Sequence, residues 1–405
     1  MFVVFAAPQF SPAASQMIEA ALALPGIRLG VISNQPLEQL APALARRVAA
    51  HWRVDDVTDA TQLEGAARAL AARGGRIDRL FGAFEQAQLP LALVRERLGI
   101  PGLPSEAAQN FRDKARMKDV LRAAGVPVAR HALVGSLADA LAFVERVGYP
   151  IVIKPPAGAG ARATERLTDD AALRRAIARY APAPNDPMLA EEFLRGTEHS
   201  LETVSIDGTP VWHSITRYAP TPLEVLEQPW VQWTVLLPRE IDAPEFDDIK
   251  AIGATALAAL GMTTGVSHCE WFRRTDGSVA ISEIAARPPG ANMTTMISRA
   301  NDMDFVAAWV RLMVFGEFSA PARKYAVGAA YLRGQGSGVV RHIEGLETIE
   351  RELGHLICDH RLPQLGHGPT GSYEGEGFII VRHSDTTVVR DALIRIISTV
   401  KVTLG

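Results

Sequence analysis

Cysteine is scarce: Cys269 and Cys358 are the only two in 405 residues. Two thiols cannot build a disulfide framework or a zinc site, and such sparing use points to a reducing, cytoplasmic setting. No run of about 18 apolar residues occurs, so no membrane-spanning helix and no membrane partner is expected. The opening MFVVFAAPQF is apolar but short and lacks a basic leader, so it reads as a buried first strand rather than a signal peptide. Charge of neither sign dominates: 42 Lys and Arg stand against 45 Asp and Glu, a formal net charge of −3. Nothing in that balance calls for nucleic acid or an anionic surface as partner. Two nucleotide signatures are also missing. Pro8-Gln9-Phe10-Ser11-Pro12 follows the first strand where a dinucleotide fold would carry G-x-G-x-x-G, and G-x-x-x-x-G-K-[ST] occurs nowhere. There is no internal repeat and no low-complexity tract.

The composition that remains is that of a globular chain, 48% hydrophobic and 21% charged. Its length exceeds what one core supports, so about two to four domains are expected. The first hundred residues alternate strands (MFVVFAA, IRLGVIS, IDRLFGAF) with helices over Met17–Leu24, Leu37–Ala50, Thr61–Ala72 and Leu91–Leu98. That spacing predicts a small parallel sheet covered by helices. IPGLPSEAAQN reads as a linker, and a helix over 112–124 follows, ending at Gly125 with Pro127 beyond. Further helices are expected from a capping-box-like start at Ser136-Leu-Ala-Asp139 to Gly148, and over 169–180, 245–260 and 302–315. SLETVSI and PVWHSITR read as an antiparallel pair, and Tyr218 to Pro238 as a long Pro-containing loop. A last unit begins near Pro321, with strands YAVGAAYL and GFIIVRH and a C-terminal helix. The fold class is therefore α/β in an α+β multidomain arrangement.

The richest stretch is GVSHCEWFRRTDGSVAISEIAARPPGANM, residues 265 to 293. Asp276-Gly277 between two apolar-flanked runs is a strong hairpin signal. Such a hairpin sets Glu270 and Glu283 side by side. Paired carboxylates repel unless a cation lies between them, and Mg²⁺ favours a few carboxylate oxygens plus substrate phosphates. Arg287, four residues on, adds a positive fork suited to a phosphoryl group. A surface hairpin with two solvated acids is the plain alternative.

Other pieces are individually weak. Lys154 ends the run IVIK beside a loop holding Gly158 and Gly160, where backbone can approach phosphates closely; an ordinary flexible hairpin would look the same. AEEFLRGTEH places Glu191, Glu192 and Leu194 on a strand end suited to an adenine edge, with Glu198 a few residues later for ribose hydroxyls. A solvated acidic edge would also fit. Lys114, one turn into a helix, reads by itself as a surface lysine. His268 and Cys269 fit packing beneath the hairpin, with His268 kept as a substrate-contact candidate. Arg217 and Glu85 lie at strand ends facing expected clefts and are substrate-contact candidates too. Trp230 and Trp233 suit packing, in a loop long enough to act as a lid.

In their order and spacing these pieces resemble the ATP-grasp superfamily, from about residue 80 to 400. NFRDKARMKDVLRAAGVPVAR is similar to the segment that opens the domain, and YPIVIKPPAGAGAR to its lysine-plus-glycine lid. MLAEEFLRGTEHSLETV is similar to the adenine and ribose strand, and GVSHCEWF with SEIAARP to the Mg²⁺ pair and its arginine. The resemblance implies ATP and Mg²⁺, with Mn²⁺ able to substitute. Lys114 and Lys154 would contact phosphates, with Gly158 and Gly160 in the lid; Glu191, Glu192 and Leu194 would frame adenine and Glu198 hold ribose. Glu270 and Glu283 would bind the metal, and Arg287 would steady the transferring phosphoryl group. Many members read Glu-x-Asn-x-Arg at the second glutamate; here Ala285 replaces that Asn, and Asn292 lies too far along to be carried over. The lid lacks the usual serine hydroxyls.

The resemblance also implies a domain plan: 1–104 as a Rossmann-like leading domain, 105–187 as the lid lobe, 188–320 as the lobe with the Mg·ATP site, and 321–405 as a small α+β unit. GVSHCEWF, the 218–238 loop and GAAYLRGQGSGVV are most like the L-amino-acid ligases. These join a small-molecule carboxylate to an amine through an acyl phosphate and release ADP. SEIAARPPGANMTTMIS is also similar to the purine-pathway ligases, which usually carry a Gly-rich loop after the first strand. A non-catalytic nucleotide-binding protein on the same scaffold is the remaining alternative. A homodimer is common in the superfamily.

Overall fold

The computed structural model describes residues 1–158, 163–228 and 230–405. The chain opens with a parallel four-stranded sheet in the order Ala50–Arg53, Arg28–Ser33, Phe2–Ala7, Arg79–Phe81. Its central strand is buried on both faces, which is why it reads as an unbroken apolar run. Phe2, Val4 and Ala6 face helices Ala60–Gly74 and Gln88–Leu98. Val3, Phe5 and Ala7 face helix Pro12–Leu22 and join a larger core with helix Phe305–Phe315. Phe81 meets Trp309 of that helix edge-on at 5.6 Å between ring centroids, so the leading sheet shares its core with the middle of the chain.

A second sheet, antiparallel, runs in the order His131–Val134, Met188–Glu192, Ile151–Lys154, Glu165–Leu167. Helices Leu137–Val147 and Asp170–Tyr180 close it, burying Phe143, Leu173, Ile151 and Ile153 in one compact core. The third sheet is the frame of the molecule. Its eight antiparallel strands run Val279–Ala285, Gly265–Arg274, Gly196–Ile206, Thr209–Ala219, Trp233–Leu237, Ala326–Leu332, Gly377–His383, Ile357–Arg361. A small sheet of Gly334–Gly336, Lys401–Leu404 and Val340–Glu344 lies at the C-terminal end. No helix among the described residues is long and apolar enough to cross a membrane.

Several expectations are corrected. The helix expected over 37–50 is absent: Pro36 and Pro42 interrupt it, leaving a 3₁₀ turn at Leu37–Gln39, a short helix Pro42–Ala45, and the edge strand Ala50–Arg53. SEAAQN is not linker but the body of helix Ser105–Arg112, which buries Ala107, Ala108 and Phe111. The 218–238 segment is not an open loop. It holds helix Pro222–Glu227, closed by a Thr221/Glu224 capping box, and the strand Trp233–Leu237 deep in the large sheet. A further helix, Met293–Asn301, precedes the expected one. Sheet membership also divides the chain differently from the expected boundaries. Met188–Glu192 belongs to the lid sheet, and three strands after residue 321 continue the eight-stranded sheet instead of forming a unit apart.

Candidate active site

The lid sheet and the large sheet face each other across a cleft of about 450 Å³. Strands Gly265–Arg274 and Val279–Ala285 form the expected hairpin. Gly277, at φ +85°, turns it, as Asp-Gly hairpins require. Glu270 pairs directly with Glu283 in the register, beside a bulge at Glu270/Trp271, and both carboxylates line the cleft. Each has a cation at hand. Lys114 Nζ lies 2.8 Å from Glu283 Oε1. His268 Nε2 lies 3.5 Å from Glu270 Oε1, while its Nδ1 sits 2.9 Å from Glu202 on the neighbouring strand. Glu202 is fully buried and accepts hydrogen bonds from Ser200 Oγ and Thr216 Oγ1. Burial alone would lower the His268 pKa, but its bonds to Glu202 and Glu270 outweigh that and raise it to about 9. His268 thus faces the cleft as a cation that anchors Glu270.

Behind the cleft lies a buried chain of charges. Glu191 receives Lys118 Nζ at 3.0 Å on one oxygen and Lys154 Nζ at 3.0 Å on the other. Burial would raise the Glu191 pKa, yet the two ammonium groups hold it down to about 2. Burial lowers the Lys118 pKa; for Lys154 the opposing pull of Glu191 and Glu283 wins and raises it. Strand alternation turns the next residue outward: Glu192 holds Arg130 at 2.6 Å while still edging the cleft. Phe193 and Leu194 follow, and with Val152 and Phe272 they line an apolar slot. Glu198 sits opposite Phe272. Burial first, then the Glu270 charge, push its carboxyl well above the usual range.

At the far end Arg287 lies with Nε 2.5 Å from Glu85 Oε2, and Arg112 approaches the other Glu85 oxygen at 3.7 Å. Arg112 and Lys114 also donate to the Gly158 carbonyl, at 3.2 and 3.0 Å. Glu85 does not line the cleft; it is the post to which Arg287 is tied. Glu85→Gln is therefore expected to lower kcat roughly tenfold to a hundredfold through misplacement of Arg287, with KM for ATP unchanged. An unchanged kcat in steady-state assays would remove that role.

Of the residues singled out in the sequence, Lys114, Lys154, Gly158, Glu191, Glu192, Leu194, Glu198, His268, Glu270, Glu283 and Arg287 come together on one cleft. Gly160 lies outside the described residues. Arg217 is not brought in. Its neighbour Tyr218 takes the cleft side of the strand, so Arg217 faces the other way, paired with Glu245 at 3.1 Å and over the Phe246 ring. Ala285 is buried opposite His268, and Asn292 does not line the cleft. Sequence reasoning missed Lys118, which helical spacing from Lys114 puts one turn along on the same face, and the cleft residues Tyr218, Met293 and Tyr373.

Among the described residues no group of three or more His, Cys, Asp or Glu side chains forms a cage for a metal. That donor set fits Mg²⁺, which uses one or two protein carboxylates and takes the rest of its shell from water and phosphates. Glu270 and Glu283 are the residues that would hold the ion.

Residues 119–302 match the ATP-grasp domain family. The L-arginine-specific L-amino acid ligase of Bacillus subtilis is 26% identical over 276 residues, 65% of this chain and 65% of that protein. The chain matches less than two thirds of the length of the curated relatives, 65%, 22% and 52% for three of them. The structure of an L-amino acid ligase from Bacillus licheniformis superposes with a TM-score of 0.79 at 20% identity, covering 100% of this chain and 98% of that one. N5-carboxyaminoimidazole ribonucleotide synthetase from Thermotoga maritima superposes with 0.69 at 17%, covering 100% and 99%. Likeness at these identities speaks to fold, and it extends over the whole chain. The chain carries an ATP-grasp domain and has the ATP-grasp fold.

Proposed function

We propose that this protein is an ATP- and Mg²⁺-dependent carboxylate–amine ligase that joins two amino acids or close analogues, releasing ADP and phosphate. The observation that carries this reading is the Glu270/Glu283 pair, which shares one cleft with Lys114, Lys154 and Arg287 and is joined to Lys114 at 2.8 Å. A substrate carboxylate oxygen attacks the γ-phosphorus of ATP; the bond to the β-phosphate oxygen breaks and ADP leaves, giving an acyl phosphate. An uncharged amine then attacks the acyl carbon, phosphate departs with the bonding pair, and the nitrogen loses its extra proton to solvent.

Glu270 and Glu283 would hold Mg²⁺, which when bound would supply Lewis-acid polarisation of the phosphoryl oxygens. Lys114 and Lys154 place two positive charges on the phosphate path. The Phe193–Leu194 slot takes the adenine and Glu198 the ribose hydroxyls. Arg287, fixed by Glu85, offers its remaining N–H groups to the oxyanion of the second step. Water must be excluded, because an acyl phosphate hydrolyses; the Gly158 carbonyl, which accepts from Arg112 and Lys114, fixes the chain at the cleft edge beside the phosphate-binding lysines.

The arginine preference in the relative's name is not carried over, since the residues that read a side chain differ between members. The test is ADP release with Mg·ATP across a matrix of amino-acid pairs, beside single-substrate controls. Release that needs two amino acids, with the matching dipeptide mass, supports the reading. Activity only with a ribonucleotide amine plus formate or bicarbonate replaces it with a purine-type ligase. Mg·ATP binding without turnover on any substrate replaces it with a nucleotide-binding role.

A further inference from the structure

Beyond the metal pair the cleft changes character. Tyr218, Trp233, Met293 and Tyr373 line it there, drawn from two strands, a helix start and a C-terminal loop. The wall is rigid. Trp233 is 1% exposed, donates its Nε1–H to the Pro220 carbonyl at 3.1 Å, and stacks on Tyr331 at 4.7 Å. Tyr373 meets the same indole edge-on at 4.9 Å, and Tyr218 lies 5.8 Å away. Both tyrosine pKa values are pushed up, by burial first and then by carboxylates that include Glu270, so both stay neutral beside the metal pair.

Charge is nearly absent from this wall. Arg287 is the cation at this end of the cleft; its Nε is held by Glu85 and its Nη1 by the Pro288 carbonyl, leaving Nη2 for a substrate oxygen. Glu224 lines the cleft nearby, but one of its oxygens accepts from both Thr221 N and Thr221 Oγ1, at 3.1 and 3.2 Å, in the capping box. An acidic side chain would meet no spare cation there, and Glu224, engaged through one oxygen only, is held back in its capping box as the carboxylate a basic one would have to reach. Apolar surface, by contrast, gains by leaving water against such a lining.

Resting on the ligase reading, we propose that the amino acid whose carboxylate is phosphorylated carries an uncharged apolar side chain of leucine size or larger, seated against Tyr218, Trp233, Met293 and Tyr373. The wall shares one cleft with Glu270, Glu283 and Arg287, so the substrate that fills it is the one whose carboxylate can reach them.

Two readouts keep this separate from the ligase reading. The first is calorimetric binding of single amino acids to protein loaded with Mg²⁺ and a non-hydrolysable ATP analogue. Leucine, methionine and phenylalanine are expected to bind roughly tenfold or more tightly than glycine, aspartate, lysine or arginine. Tyr373→Ala should abolish that preference and leave nucleotide affinity unchanged, while Tyr373→Phe should restore it. Equal or tighter binding of glycine or a charged amino acid, or no binding of any, overturns the inference. So does a Tyr373→Ala protein with the preference intact. The second readout is ADP release over the pair matrix. Selective binding of apolar amino acids with no ADP release from any pair keeps the subsite and removes the ligase reading. ADP release that ranks glycine or arginine first keeps the ligase and removes this inference.

Discussion

Glu283→Gln is expected to lower ADP release by roughly 10³-fold, the effect of several kcal/mol of lost charge stabilisation at the phosphoryl group. The substitution keeps size and hydrogen-bonding shape and removes one negative charge. Glu283 pairs in register with Glu270, so the change halves the negative charge the hairpin offers to a divalent ion. It also removes the counter-charge of Lys114 at 2.8 Å, leaving that ammonium with neutral acceptors, an amide oxygen and the Gly158 carbonyl. A second readout guards against a trivial loss. Mn²⁺ affinity in the presence of ATP, followed by electron paramagnetic resonance, should weaken in step with turnover, while the far-UV circular dichroism spectrum stays that of the folded wild type. Turnover at the wild-type rate would sink the metal assignment outright.

How much of this was legible beforehand depended on sequence separation. The hairpin could be read because its turn chemistry and strand alternation are local, and the pairing of Glu270 with Glu283 followed from them. The segments 110–130, 149–162 and 188–204 were recognisable through a family pattern of ordered short motifs. The eight-stranded sheet was not, because its neighbours are strands from distant parts of the chain: Trp233–Leu237 lies beside Ala326–Leu332. Local signals carry no record of such pairings, which is why 218–238 looked like open loop and 321–405 like a separate unit.

Side-chain direction was the other gap. Arg217 and Tyr218 are adjacent, and only the frame of the strand decides which faces the cleft. Lys118 on a polar helix looks like a solvated lysine, yet the lid strand covers it and it is fully buried. Glu85 reads from sequence as a substrate contact but does not line the cleft; its position beside Arg112 and Arg287 is set by how the leading sheet docks on the rest. Tyr373 was invisible, as its neighbours in space, Trp233 and the cleft wall, come from the centre of the chain.

Glu191→Ala should be the most damaging substitution for stability, costing about 3–5 kcal/mol and eliminating ATP binding with it. Glu191 is 5% exposed and is the shared partner of Lys118 and Lys154. Without it, two buried ammonium groups repel each other, and Lys154 loses the contact that aims it at the cleft. Replacing one lysine partner as well, in Glu191→Leu with Lys118→Met, is expected to recover part of the stability but not nucleotide affinity, because one of the two buried ammonium groups is then gone while Lys154 remains, charged and unaimed. The same group makes a pH signature with a definite sign. Its carboxyl is depressed to about 2 in the folded protein, burial being overcome by the two lysines. An unfolded glutamate titrates near about 4.3, so the stabilisation is present above that value and is lost as pH falls through it toward 2. Urea midpoints of wild type and Glu191→Gln should therefore lie far apart at neutral pH and converge on acidification across that window. A gap that stays constant down to the lowest pH at which both proteins fold would show that Glu191 is not held ionised by Lys118 and Lys154.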